Sequence, residues 1–186
     1  MDEMNVQGVS ILGIDPGIVV TGYALLDESP AGVLTFSRSG QVKTHAKMPF
    51  SERLKLIFDS ILKVIDADHP VAVALEDTFF GKNAQSALKL GQARGVAILA
   101  AAFRGLPVFD YTPTAVKLAV VGHGSANKDQ VQQMVARFLH LPKVLASEHQ
   151  SDAAAVAICH AHSARFQKQL EQASHPNSSK MPRTGP

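Results

Sequence analysis

Apolar and polar positions along the chain change rhythm near residue 50. Before that point come three short apolar-rich runs separated by turn signals. VSILGID (9–15) is nearly all apolar and closes on an acid, which predicts a buried strand with Asp15 at its exit. Pro16-Gly17 marks a turn, VVTGYALLD (19–27) a second strand, ESPAG another turn, and VLTFSRSGQV (33–42) a third strand with partial alternation. Three strands joined by short turns predict an antiparallel meander.

From 50 to 68 the spacing becomes three and four, with Leu54, Ile57, Phe58, Ile61, Leu62 and Ile65 on one helical face. HPVAVALED (69–77) is a fourth strand that again runs apolar into acids, Glu76 and Asp77. A run of that kind predicts burial on both faces. An alanine-rich helix follows over 83–105, with Asn83 as N-cap, Gly105 as stop, and Gly91 and Gly95 one turn apart for close backbone packing. LPVFDY (106–111) is a short fifth strand.

Thr112 caps the next helix and Pro113 opens it. Asn127 with Gln130 makes a candidate capping box for a helix that turns Val131, Met134, Val135 and Phe138 inward. Ser147 with Gln150 makes another, for a last helix over about 148–168. The order predicts one α/β domain over 1–168, a mixed sheet covered by helices. The polar, Pro-rich end, 169–186, is expected to be disordered.

Composition narrows the class only a little. Hydrophobic residues make up 46% of the chain and charged residues 18%, a globular balance. No apolar run reaches the length of a membrane span, and no basic segment leads into an apolar one near the start. A cytoplasmic protein with no membrane partner is the expectation. A single cysteine, Cys159, excludes an intrachain disulfide, and its VAIC surroundings read as a buried thiol. The formal net charge of +2 permits a nucleic-acid partner without requiring one.

The chemistry lies in four residues. Asp15 and Glu76 each end an apolar strand, where an acid needs solvent, a partner or a metal. His149 and Asp152 are three apart near the start of the last helix, so they share a face. Behind them AAAVAICHA is small and apolar, suited to lying against a sheet and bringing both residues to its edge. Carboxylate oxygens suit Mg²⁺ or Mn²⁺, and the imidazole tilts the preference toward Mn²⁺. Two such ions about 4 Å apart can activate a water and stabilise the leaving oxygen of a phosphodiester. Each residue also has an ordinary reading. Asp15 can start the Pro-Gly turn, Glu76 can be a solvated strand end, and His149 and Asp152 can be helix-start residues. Pattern alone supports a hydrolase or phosphate-handling protein and no more.

Longer stretches carry a resemblance. LGIDPG (12–17) with TGYAL (21–25), VALED (73–77), FFGKNAQSALKLGQARGVAI (79–98), YTPTAVKLAVVGHGSANKDQVQQMV (111–135) and SDAAAVAICHAH (151–162) are similar to the RuvC family of bacterial Holliday junction resolvases. NAQSALKLGQARG is the most specific of these, and the likeness spans about residues 9–165. It implies a ribonuclease H-like fold, with a five-stranded sheet of three antiparallel strands followed by parallel additions. It implies a homodimer whose two sites nick a four-way DNA junction symmetrically, beside a branch-migration helicase complex.

Residue by residue, the resemblance makes Asp15, Glu76 and Asp152 catalytic metal ligands. It places His149 where many members carry a further Asp and others a His. Lys117 and Lys128 match lysines that approach the scissile phosphate, while Ala115 stands where some relatives have another lysine. Phe79 matches an aromatic that stacks on unpaired bases near the junction centre, with Phe80 beside it. Lys82, Asn83, Gln85, Ser86, Lys89 and Arg94 flank it as backbone contacts. The dimer contact is assigned to the helix over 83–105, where Gly91, Ala97 and Ala101 permit close approach.

Three other readings stay open on the residues. One is a junction-binding scaffold without cutting, supported by His149 in place of an acid. Another is a nucleotide-binding enzyme of the actin and sugar-kinase type, for which the chain is short and lacks a second copy of the motif. The last is a ribonuclease H acting on RNA–DNA hybrids.

Overall fold

The computed structural model describes residues 8–77 and 84–174 and puts the apolar runs side by side in a five-stranded sheet. Strands β1 (Val9–Asp15), β2 (Val20–Glu28) and β3 (Leu34–Lys43) form the expected antiparallel meander. Strands β4 (Ala72–Glu76) and β5 (Val108–Tyr111) add in parallel on the other side of β1, giving the order β3-β2-β1-β4-β5. The two most apolar runs, β1 and β4, lie together at the centre. Covering both faces of a central parallel pair is what lets such runs dispense with alternation.

Helices cover each face. On one, α1 (Phe50–Asp68) and α2 (Ala84–Phe103) pack on Leu12, Ile14, Leu25, Val73 and Leu75. On the other, α3 (Pro113–Val121), α4 (Lys128–Phe138) and α5 (Glu148–Ser174) enclose Ile11, Ala24, Leu26 and Ala74. Helix α5 lies directly on the sheet, buried without interruption from Ala153 to Ala161. Two strand glycines make that approach possible. A Cβ at Gly13 would sit 2.0 Å from the Ala153 carbonyl oxygen, and one at Gly22 would sit 2.1 Å from that of His149. Any side chain at either position pushes the helix off the sheet.

Capping explains the boundaries. Thr112 accepts from the Ala115 N–H and Pro113 opens α3, as expected. The Asn127–Gln130 box is complete, with both bonds at 2.9 Å. The Ser147–Gln150 box is half made: Ser147 Oγ accepts from Gln150 N at 3.3 Å, but Gln150 Oε1 is buried without a partner. Strand β4 starts at Ala72, later than 69, because His69 ends α1 in the left-handed region (φ 47°) and donates to the Ile65 carbonyl.

Helix α5 runs to Ser174, past the expected end near 168, so the tail expected from 169 begins as helix. Helix α2 corrects the packing expectation. Its inward face is Ala93, Ala97, Ala100 and Ala101, whereas Gly91 and Gly95 have nothing within 4 Å of a built Cβ. Ala97 and Ala101 are fully buried inside the chain and are not free to meet a partner. Asn83, its expected cap, lies outside the described residues.

Candidate active site

Asp15 and Glu76 reach one place because β1 and β4 run parallel in register. Ile14 pairs with Leu75, so the next residue on each strand is an acid at the same end of the sheet. Helix α5 brings the rest. Pressed on Gly22 and Gly13, its first turns carry His149 and Asp152 across β2 and β1. Nδ1 of His149 lies 2.7 Å from Oδ2 of Asp15. The start of α5 is itself tied to the sheet, since Gln41 of β3 donates to Ser147 Oγ.

Crowding and burial set the electrostatics. Burial first, then the charges of Asp152 and Asp15, push the Glu76 carboxyl up to about 7. Burial and then Asp15 push Asp152 up to about 6. Burial also raises Asp15, against the lowering pull of its His149 hydrogen bond. These acids feel one another in a poorly solvated corner, which is the situation a divalent cation relieves. Their oxygens and one imidazole are also a donor set that such a cation accepts. Among the described residues, no group of three or more His, Cys, Asp or Glu stands close enough to clasp an ion as placed.

Two lysines supply positive charge. Lys117 on α3 and Lys128 on α4 both act to lower Glu76. Lys128 Nζ is 3.0 Å from Glu148 Oε1, an exposed pair. Such a pair contributes little and breaks easily.

The other expected residues divide. Gln85, Ser86 and Lys89 are exposed on the first turns of α2. Arg94 is committed elsewhere: its guanidinium is 2.6 Å from Asp110 of β5 and only 20% of its side chain is exposed. Phe79, Phe80, Lys82 and Asn83 lie outside the described residues. Cys159 is buried, and that burial pushes its thiol up to about 11.

Arg53 was absent from every expectation. It is 8% exposed, and it donates from Nε to Thr44 Oγ1 at 2.8 Å and from Nη2 to the Ile18 carbonyl at 2.9 Å. It therefore clamps the loop that leaves Asp15. The signal was present: Arg53 stands four residues before Ile57 and eight before Ile61, a cation on an otherwise apolar face.

Strand-end carboxylates beside a helix-borne His and Asp, with two lysines opposite, on a helix-covered mixed sheet, define a nuclease-like site on a ribonuclease H-like fold. Comparison with known proteins makes this specific. The family model "Crossover junction endodeoxyribonuclease RuvC" matches residues 11–160. The protein of that name from Citrifermentans bemidjiense is 54% identical over 154 residues, covering 83% of this chain and 93% of the relative. The one from Pelotomaculum thermopropionicum is 45% identical over 161 residues, covering 87% and 98%. The structure "T. thermophilus RuvC in complex with Holliday junction substrate" aligns with a TM-score of 0.81 at 36% identity, over 86% of this chain and 96% of that one. The chain belongs to the RuvC family of Holliday junction resolvases.

Proposed function

We propose that this chain is a structure-selective endonuclease that resolves four-way DNA junctions by paired, symmetric, divalent-metal-dependent hydrolysis of phosphodiesters. The observation that carries the reading is the convergence of Asp15 and Glu76, from neighbouring parallel strands, with His149 and Asp152 from α5. Family membership and the junction-bound Thermus relative supply the substrate.

Asp15, Glu76, His149 and Asp152 would hold Mg²⁺ or Mn²⁺, as two ions in a site of this type. Bound there, the metal supplies an activated water and a counter-charge for the leaving oxygen. The chain's own groups do the rest. Lys117 and Lys128 hold the scissile phosphate as point charges. Gln85, Ser86 and Lys89 present polar groups to the backbone, and Phe79 with Phe80 stacks on unpaired bases. Arg94 reaches DNA only by giving up Asp110.

Symmetric cutting needs two copies. Leu88, Gly91, Gly95 and Leu99 fall on one outward face of α2, and Leu88 and Leu99 are 65% and 56% exposed. An exposed apolar stripe with glycines at its centre suits a second α2, and Leu99→Lys should turn a dimer into a monomer in light scattering. A branch-migration helicase complex is the accompanying partner and the cytoplasm the place of work. Among the described residues no helix is long and apolar enough to cross a membrane.

The test is cleavage of a mobile four-way junction with Mg²⁺, Mn²⁺ or chelator, mapping all four strands. Paired nicks at symmetric positions with metal, and none with chelator, are expected. Tight junction-selective binding without nicks in either metal favours the scaffold reading, whose support is the hold of His149 on an Asp15 oxygen.

A further inference from the structure

Strand β3 ends beside the site. Asp15 pairs with Gly22 and Gly22 with Gln41, while Lys43 pairs with Val20, two residues further toward the site end of the sheet. Alternation along each strand fixes the face. Ile14, Leu75 and Val42 lie in the core under α1 and α2, so Asp15, Glu76, Gln41 and Lys43 turn to the face that carries α5. The bond from Gln41 to Ser147 at the start of α5 agrees with that direction. Lys43 therefore shares both face and sheet end with Asp15 and Glu76. Two strand spacings across and two residues along put it about 12 Å from Asp15.

The loop that follows, up to the start of α1, carries Lys47, and the sequence has no acid between 29 and 51. Lys43 and Lys47 are exposed, and among the described residues neither is ion-paired to a carboxylate. The acid of the first turn of α5, Glu148, is already paired with Lys128. This corner therefore keeps two uncompensated positive charges. It is also anchored. The Thr44 N–H donates to the Val19 carbonyl at 2.9 Å, and buried Arg53 donates to Thr44 Oγ1 at 2.8 Å and to the Ile18 carbonyl at 2.9 Å. The Met48 N–H donates to the His45 carbonyl at 3.0 Å and closes a turn on which Lys47 stands. The two lysines thus sit on backbone tied to the loop that leaves Asp15. Point charges on an anchored base fit phosphate contact, which fixes register without reading bases.

We infer that Lys43 and Lys47 bind the phosphodiester backbone of the junction strand as it leaves the scissile phosphate. Twelve ångströms spans about three or four nucleotides at roughly 3.4 Å each, so the contact lies outside the reacting group and positions it. The inference rests on the resolvase reading above and adds a contact to it. Each lysine neutralises one phosphate and releases its counterions, so the contact weakens steeply with salt.

The experiment measures affinity for a fluorescent four-way junction, in chelator so that nothing is cut, between about 50 and 200 mM salt. For the double variant Lys43→Gln/Lys47→Gln, the slope of log affinity against log salt should flatten by about 1.8. Across that range the parent protein should then lose about tenfold more affinity than the variant. Lys43→Gln alone should flatten the slope by about 0.9. Lys63→Gln removes an equally exposed charge from α1, which covers the opposite face, and should leave the slope unchanged. A double variant with the parent slope overturns the inference, and so does a Lys63→Gln slope that flattens as much as that of Lys43→Gln. Parent protein that binds linear duplex as tightly as a junction overturns the resolvase reading instead, and the slopes still decide whether the two lysines touch DNA.

Discussion

His149 Nδ1 and Asp15 Oδ2 are 2.7 Å apart although 134 residues separate them in the chain. The contact joins the first strand to the last helix at the point where metal would bind. Asp15→Asn keeps the shape of that carboxylate and removes its charge. Nicking should fall at least about 100-fold, the cost of losing one well-placed electrostatic group, while junction binding in chelator stays close to the parent. Gel-based nicking and fluorescence binding on the same preparation check this. Equal losses of both would count against a ligand role.

In the proposed ligand set, His149 is the donor that bears on metal choice. His149→Asp replaces a nitrogen donor with a hard oxygen, so the ratio of nicking rates in Mg²⁺ and Mn²⁺ should move toward Mg²⁺. Rates in each metal across a concentration series give that ratio. An unchanged ratio would remove His149 from the ligand set.

Glu76 makes the metal-free protein sensitive to pH. Its carboxyl is held up to about 7 when folded, against an ordinary 4.5, so the folded state binds that proton more tightly than the unfolded state. Its contribution is fully present below about 4.5 and is lost as pH rises through about 7. His160 and His162 are lowered from 6.5 chiefly by burial, and their contribution runs the other way, increasing as pH rises toward that value. The raw slope is therefore a mixture, and the informative comparison is with Glu76→Gln. In chelator, Glu76→Gln should gain melting temperature relative to the parent between pH 5 and pH 8. Parallel curves would mean that Glu76 ionises without penalty.

How much of this was legible beforehand depended on whether a residue speaks through its neighbours in sequence. The strands, helix α1 and the Asn127 box are local patterns, and they were read within a few residues. Asp15 and Glu76 stood out because an acid ending an apolar run is locally odd. The pairing of β1 with β4 that unites them is not local. Arg38 with Asp68, Gln41 with Ser147 and Arg53 with Ile18 are contacts between distant elements, with no periodicity to mark them. The glycines of α2 were legible only in part, for a related reason. A helical glycine signals room for a neighbour without saying which neighbour, and inside this chain alanines took that place.

Gly22 stands in a strand interior because the His149 backbone lies against it. Gly22→Ala places a methyl 2.1 Å from the His149 carbonyl oxygen and 2.8 Å from its Cβ, so the first turn of α5 must lift. Overpacking of this kind costs roughly 1–3 kcal/mol. Nicking should fall more than that destabilisation explains, because His149 and Asp152 move with the turn. Gly13→Ala meets the Ala153 carbonyl at 2.0 Å, one turn further along. It should cost comparable stability with a smaller effect on activity. Denaturant melts paired with nicking well below the transition separate the two, and equal activity losses would mean the helix moves as one body.

Arg53 carries the last prediction. Its guanidinium is buried and bonded to Thr44 Oγ1 and the Ile18 carbonyl, and among the described residues it has no carboxylate partner. The Thr44 N–H donates to the Val19 carbonyl at 2.9 Å, so β3 and the loop after Asp15 are held by one cluster. Arg53→Met keeps much of the volume and leaves those oxygens short of a donor, at a cost of roughly 1–3 kcal/mol. For a chain of this size each kcal/mol lowers the melting temperature by about 2–4 °C. Arg53→Lys keeps one charged donor and should recover part of the loss, but not the two-point clamp. Because the loosened loop begins at Asp15, nicking at a temperature where both variants are folded should fall in the order parent, Lys, Met. Nicking that stays at the parent rate while stability falls would assign Arg53 to folding alone.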